Sequence, residues 1–175
     1  MRFDERSIAR ADRLCREGAR AYEFPVETTI PLPDEAATRA LGQRLGAALR
    51  AGDVVALSGP LGAGKTTIAR AAIAALTGHN EAPSPTFGLV ETYDAEGFTL
   101  WHFDLFRLEK AEEVFELGFE EALADGALLI EWAERIAPML PASTLLIRLS
   151  ADGAGRQALV RGGEEWSARV KGFYV

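Results

Sequence analysis

Apolar positions along this chain change period several times, and each change marks an element. Residues 4–22 carry Ile8, Ala11, Cys15, Ala19 and Tyr22 roughly on one side, a weak amphipathic helix that Phe24-Pro25 breaks. Residues 1–24 are thus expected to form an N-terminal helical extension, and 25–175 the main domain. Val26 to Leu32 reads as a short strand. Pro33-Asp34 then opens a helix with Ala37, Leu41, Leu45 and Leu49 at four-residue spacing, with Asp34 its expected N-cap. Gly52-Asp53 turns the chain into an apolar strand, Val54 to Ser58. A helix after Lys65 runs through Ile68, Ala72, Ile73 and Leu76, apolar nearly all round, and Gly78 is its expected stop.

The second half alternates differently. Pro83-Ser84-Pro85-Thr86-Phe87 cannot be helical and reads as a stiff loop. Leu89 to Tyr93 and Phe98 to Phe103 flank Asp94-Ala95-Glu96-Gly97, which predicts a hairpin. Charged helical stretches follow around Glu112 to Leu117 and Glu120 to Ala124. Ala127-Leu128-Leu129-Ile130 is wholly apolar, as a central parallel strand covered on both faces should be. Thr144 to Leu149 and Gln157 to Val160 read as two more strands, joined across Asp152-Gly153-Ala154-Gly155. No internal repeat interrupts this order.

Between the strand 54–58 and the helix after Lys65 stands Gly59-Pro60-Leu61-Gly62-Ala63-Gly64-Lys65-Thr66, the phosphate-loop pattern with strand before and helix after. Its glycines let the backbone curve into a nest of N–H groups, and the helix adds its positive end. Gly59, Leu61, Gly62, Ala63, Gly64, Lys65, Thr66 and Thr67 are the candidate nucleotide-binding residues. Lys65 is expected to reach the terminal phosphates and the Thr66 hydroxyl to ligate Mg²⁺. The expected fold is α/β: a P-loop NTPase-like three-layer sandwich around a mixed, partly parallel sheet.

Composition narrows the partners. Net charge is −7 with pI near 5.0, against direct, phosphate-driven binding of nucleic acid. Lys65, Lys110 and Lys171 are the only lysines in an arginine-biased chain, so a lysine at the motif position stands out. One cysteine, Cys15, excludes an internal disulfide and favours a reducing compartment. No apolar run approaches the ~18 residues of a membrane span. The arginines of the first 20 residues are interspersed with acids, unlike a transit peptide. A cytoplasmic location is expected.

A phosphate loop needs a carboxylate to hold its metal, and two strand tips offer one. Glu131 ends the apolar run 127–130, whereas Asp104 ends the alternating run 98–103. The wholly apolar strand is the more central, so Glu131 is favoured for the metal, through water or directly. Asp104 is a candidate for orienting the attacking water or joining the metal shell, against a plain reading as helix N-cap or partner of Arg107. Thr86 sits where phosphate-sensing switch residues occur, or is an ordinary turn threonine. Trp132 belongs at the nucleotide site or in the core. His102 reads as a satisfied side chain on the other strand face. The guanine-reading Asn-Lys-x-Asp and the Leu-Ser-Gly-Gly-Gln signature of transporter ATPases are both absent.

Taken in order, the phosphate loop, Ser84-Pro85-Thr86-Phe87, His102-Phe103-Asp104-Leu105-Phe106-Arg107-Leu108 and Glu131-Trp132 resemble the TsaE (YjeE) family, over roughly residues 25–150. That resemblance implies an ATPase of bacterial tRNA threonylcarbamoyladenosine biosynthesis. It would act with the TsaD and TsaB proteins, which modify adenosine 37 of tRNA, and its cofactors would be ATP and Mg²⁺. It further implies that Lys65 and Thr66 hold phosphate and Mg²⁺, and that Thr86 belongs to a switch-like loop. Asp104 would be in the catalytic acidic motif, Glu131 in the metal shell and Trp132 at the nucleotide. Two positions depart from the family pattern: Pro60 replaces a usual acid and removes a backbone donor, and Phe106 replaces a frequent tyrosine. The competing readings are a small P-loop kinase acting on a metabolite or nucleoside, and a nucleotide-switched binding module without useful turnover.

Overall fold

A computed structural model describes residues 24–78, 85 and 89–173. The expected extension before Phe24, and Thr86 with most of its loop, lie outside the described residues. Seven strands form one sheet: β1 (Val26–Leu32), β2 (Val54–Ser58), β3 (Val90–Ala95), β4 (Phe98–Asp104), β5 (Gly126–Glu131), β6 (Leu145–Asp152) and β7 (Gly155–Gly162). Their spatial order is β1-β7-β6-β2-β5-β4-β3. The middle strands β6, β2, β5 and β4 run parallel; β7 and β3 run against them at the two edges, and β1 pairs antiparallel with β7 outside it. The mixed, partly parallel sheet is therefore as the sequence predicts. The hairpin turn is tighter than expected, because Ala95 pairs with Phe98 and only Glu96-Gly97 lie between them.

Alternation along β2 divides the core into two layers. Val55 and Leu57 face α1 (Glu35–Ala48) and α2 (Lys65–Thr77), joining Leu41, Leu45, Ile68 and Ile73. Val54 and Ala56 face the opposite side, with Phe103, Val114, Phe119, Leu128, Ile130 and Ile136. That second face is covered by the 3-10 segment Ala111–Leu117, by α3 (Phe119–Asp125) and by the 3-10 segment Ala133–Met139. β5 is buried at every position, the reason it reads as unbroken apolar sequence.

Local signals set the helix ends. Asp34 Oδ1 accepts from the Ala37 N–H at 2.8 Å, closing the predicted N-cap of α1. Gly78 ends α2 at φ 73°. What the hydrophobic spacing does not announce is the closeness of α1 to α2. Gly42 and Gly46 lie directly on the α2 backbone: a Cβ at Gly46 would sit 2.2 Å from the Ala72 carbonyl oxygen, and one at Gly42 2.5 Å from that of Ile68. Gly46→Ala is expected to destabilise the protein by at least about 2 kcal/mol net of the helix propensity gained. That corresponds to a fall of about 4–8 °C in Tm, measured by calorimetry; an unchanged or raised Tm would mean that the two helices can part without cost.

Near the end of the described residues stands α4 (Glu164–Val170), which the sequence pattern did not reveal. Trp166 is fully buried and donates through Nε1 to the Ser143 carbonyl at 3.0 Å. Arg169 stacks on Trp166 and grips Asp53 with two bonds of 2.5 and 3.0 Å, tying α4 to the turn that enters β2.

Candidate functional site

The parallel strands β2, β5 and β4 end together, and their C-terminal tips supply the phosphate loop, Glu131 and Asp104 in that spatial order. Leu57 is the register partner of Glu131, and Glu131 of Asp104. This is the edge of an open α/β sheet at which ligands bind. Alternation decides which way the tips point. Leu100 and Leu129 belong to the α1–α2 layer, so His102, Asp104 and Glu131 fall on that face, where α2 begins.

The loop has the backbone of a phosphate nest. Gly59, Gly62 and Gly64 have φ of 132°, 76° and 106°, which side chains other than glycine's rarely adopt. Gly59 is also pressed against β6, since a Cβ there would lie 2.5 Å from the Leu149 carbonyl oxygen. The Ala63 N–H closes the loop onto the Pro60 carbonyl at 3.2 Å. Arg156, at the start of β7, reaches the Gly62 carbonyl at 3.4 Å. Gly64 supplies no side-chain cap to the first turn of α2, and the leading N–H groups of a helix, here those of Lys65, Thr66 and Thr67, are donors suited to an anion. Leu61 is exposed at the loop tip.

Lys65 is buried and folded back: Nζ donates to the Gly59 carbonyl at 2.7 Å and the Pro60 carbonyl at 2.9 Å, and lies 3.6 Å from the centre of the Trp132 ring. Burial pushes its pKa down, and the charges of Glu134, Glu131 and Asp104 push it back up. The Thr66 hydroxyl donates to Glu131 Oε2 at 2.7 Å. The other oxygen of Glu131, Oε1, meets His102 Nε2 at 3.0 Å. A carboxylate accepts, so Nε2 donates this bond, while Nδ1 is buried with no partner among the described residues.

Asp104 Oδ1 takes the Phe106 N–H at 3.1 Å, and burial, opposed by that bond, raises its pKa. Trp132 leaves β5 at φ 59° and ψ 37°, a left-handed turn that is strained for a bulky residue. That reversal swings the indole over Lys65 and against Phe106, whose ring centre is 4.9 Å away.

The residues offered for a metal fit Mg²⁺ rather than a caged transition metal. No cluster of three His, Cys, Asp or Glu side chains at metal-binding spacing occurs among the described residues. Mg²⁺ needs none, because it keeps several waters and takes one or two protein oxygens together with phosphate. Thr66 and Glu131, already in contact, are such a pair.

The structure brings Lys65, Thr66, Asp104, Glu131 and Trp132 to one end of the sheet, while Thr86 lies outside the described residues. The sequence reading passes over two neighbours of these residues. His102 reads as a satisfied side chain on the other strand face, whereas its place two positions before Asp104 puts both on one face, with Nε2 on Glu131. Glu134 gave no signal beyond standing three residues after Glu131.

Fold and loop together define an α/β protein with a phosphate loop at the C-terminal edge of a parallel sheet core. The particular family follows from comparison with known proteins. The family model of the threonylcarbamoyl adenosine biosynthesis protein TsaE matches residues 32–158, and this chain belongs to that family. The tRNA threonylcarbamoyladenosine biosynthesis protein TsaE of Rickettsia conorii is 45% identical over 121 residues, covering 69% of each chain. The protein of that name from Nostoc is 38% identical over 138 residues, covering 75% of this chain and 83% of its own. The crystal structure of Bacillus subtilis YdiB superposes with a TM-score of 0.69 at 25% identity, covering 87% of this chain and 97% of that one. Among the described residues no helix is long and apolar enough to cross a membrane.

Proposed function

We propose that this chain binds Mg-ATP and hydrolyses it to ADP and phosphate in support of a TsaD–TsaB pair that makes threonylcarbamoyladenosine at position 37 of tRNA. The observation that carries the reading is the contact of Thr66 with Glu131 beside a buried Lys65. One hydroxyl and one carboxylate are held together where a phosphate-bound Mg²⁺ would need them, next to the cation that meets the terminal phosphates. The loop N–H groups and the start of α2 bind and orient the phosphates. Lys65 exchanges the carbonyls of Gly59 and Pro60 for phosphate oxygens. His102 holds Glu131 so that Oε2 stays at Thr66. Asp104, one strand further out, orients the attacking water. Mg²⁺ supplies neutralisation of the phosphate charge.

Hydrolysis needs water, metal and charge stabilisers in one arrangement at once. Asp104 and Glu131 stand on adjacent strands. Partner docking that completes the arrangement is what makes turnover conditional. Slow ATP turnover by the isolated chain, raised at least about tenfold by a TsaD–TsaB pair (roughly 1.4 kcal/mol of barrier), is the expected result of a coupled ADP-release assay. Absence of both stimulation and association would sink the proposal. ADP production driven by a small acceptor instead of by the proteins would identify a kinase.

A further inference from the structure

Trp132 follows the last residue of β5 at φ 59° and ψ 37°, one of two residues other than glycine at positive φ among the described residues. Glycine or asparagine makes such a turn cheaply, whereas a bulky side chain adds strain. Backbone bonds fix the turn from both sides. The Leu105 N–H donates to the Glu131 carbonyl at 3.1 Å, and the Arg135 N–H to the Trp132 carbonyl at 3.1 Å. The indole is only half-buried, so core packing is not its whole use. Its ring meets two neighbours instead. The Phe106 ring centre is 4.9 Å away with the rings tilted by 46°, and Lys65 Nζ lies over the indole, 3.6 Å from its centre.

Lys65 is 4% exposed, and its Nζ donates to the Gly59 and Pro60 carbonyls at 2.7 and 2.9 Å, which keeps the charge at the ring. An aromatic face attracts a cation without neutralising it, so the ammonium is held yet stays available to phosphate. We propose that Trp132 is a positioning residue for Lys65: its indole face holds the ammonium inside the phosphate loop, where phosphate oxygens take over from the two carbonyls, and Phe106 braces the ring. This assignment, which rests on the nucleotide reading above, gives Trp132 to the lysine rather than to the base. Without the ring the lysine stem is free to sample rotamers, and ordering it opposes binding by about two- to tenfold. Together with the cation–π attraction that persists once phosphate is bound, the ring accounts for about tenfold in affinity.

The test is calorimetric titration of the full chain with ADP in excess MgCl₂, so that turnover plays no part. Trp132→Asn, which suits the left-handed turn but offers no ring face, is expected to weaken binding about tenfold. Trp132→Phe keeps a ring face and is expected to stay within about threefold of the wild type. A double-mutant cycle makes the decision: in a Lys65→Met background, Trp132→Asn should change affinity by less than about twofold. An equal loss in both backgrounds would mean a contact with the nucleotide or a merely structural role, and overturns the inference. So does Trp132→Phe losing as much as Trp132→Asn, or no loss in either. Competition by inorganic pyrophosphate, which has no base to meet an indole, decides where the double variant fails to fold. Trp132→Asn should weaken pyrophosphate and ADP by the same factor. Weakening of ADP alone overturns the inference and leaves the nucleotide reading standing. Failure of the wild type to bind ADP would overturn both.

Discussion

Lys65→Ala is expected to abolish useful nucleotide binding, lowering affinity for ADP or ATP by at least about 100-fold. The ammonium is buried, bonded to two carbonyls and stacked on Trp132, so it is held within the loop rather than waving in solvent. A charge-assisted hydrogen bond contributes about 1.5–3 kcal/mol, which is already about ten- to 150-fold. The second consequence is electrostatic. With the lysine gone, the incoming phosphates lose the cation on which the charges of Glu134, Glu131 and Asp104 now act. Equilibrium titration with a fluorescent nucleotide reads the effect. Lys65→Met serves as a control that keeps most of the side-chain stem over Trp132. Affinity retained within about threefold in both variants would mean that the loop does not hold phosphate.

Glu131→Gln should raise the Mg²⁺ concentration needed for half-maximal ATP turnover by about 10–100-fold. The geometry gives the reason. Both carboxylate oxygens accept, one from the Thr66 hydroxyl and one from His102 Nε2. An amide has one acceptor and one donor end. Turned towards His102, the NH₂ group opposes an N–H. Turned towards Thr66, it forces the hydroxyl to accept, and so occupies the lone pair that a metal would use. One orientation loses the bond to His102 and the other reverses the bond to Thr66, while the loop that holds the phosphates is untouched. Turnover measured across a Mg²⁺ series separates this from a general loss of activity. An unchanged midpoint would remove Glu131 from the metal shell.

Much of the site was legible because its parts are local. The phosphate loop needs glycines at positive φ and a strand-to-helix transition, and both are written in consecutive residues from Val54 to Leu76. The choice of Glu131 over Asp104 for the central position was legible for another reason. A strand covered on both faces must be apolar at every position, whereas β4 carries Thr99, His102 and Asp104. Other features could not be read. Trp132 occupies a left-handed conformation with no glycine to mark it. The packing of Gly42 and Gly46 on α2 depends on which helix lies opposite. The docking of α4 through Arg169 reaches across 116 positions to Asp53 in the turn before β2.

The sequence by itself determined the phosphate-loop pattern and where in the chain it sits, because backbone freedom, helix start and a lysine at the motif position are properties of neighbouring residues. Only the tertiary structure decided which side chains that loop meets. Strand order is set by how the two apolar layers pack, and it put β5 beside β2 with β4 next to it. Strand parity then turned Glu131 and His102 towards the first turn of α2, and one strained turn brought Trp132 over Lys65. Those contacts join residues far apart in the chain, and no local pattern encodes them.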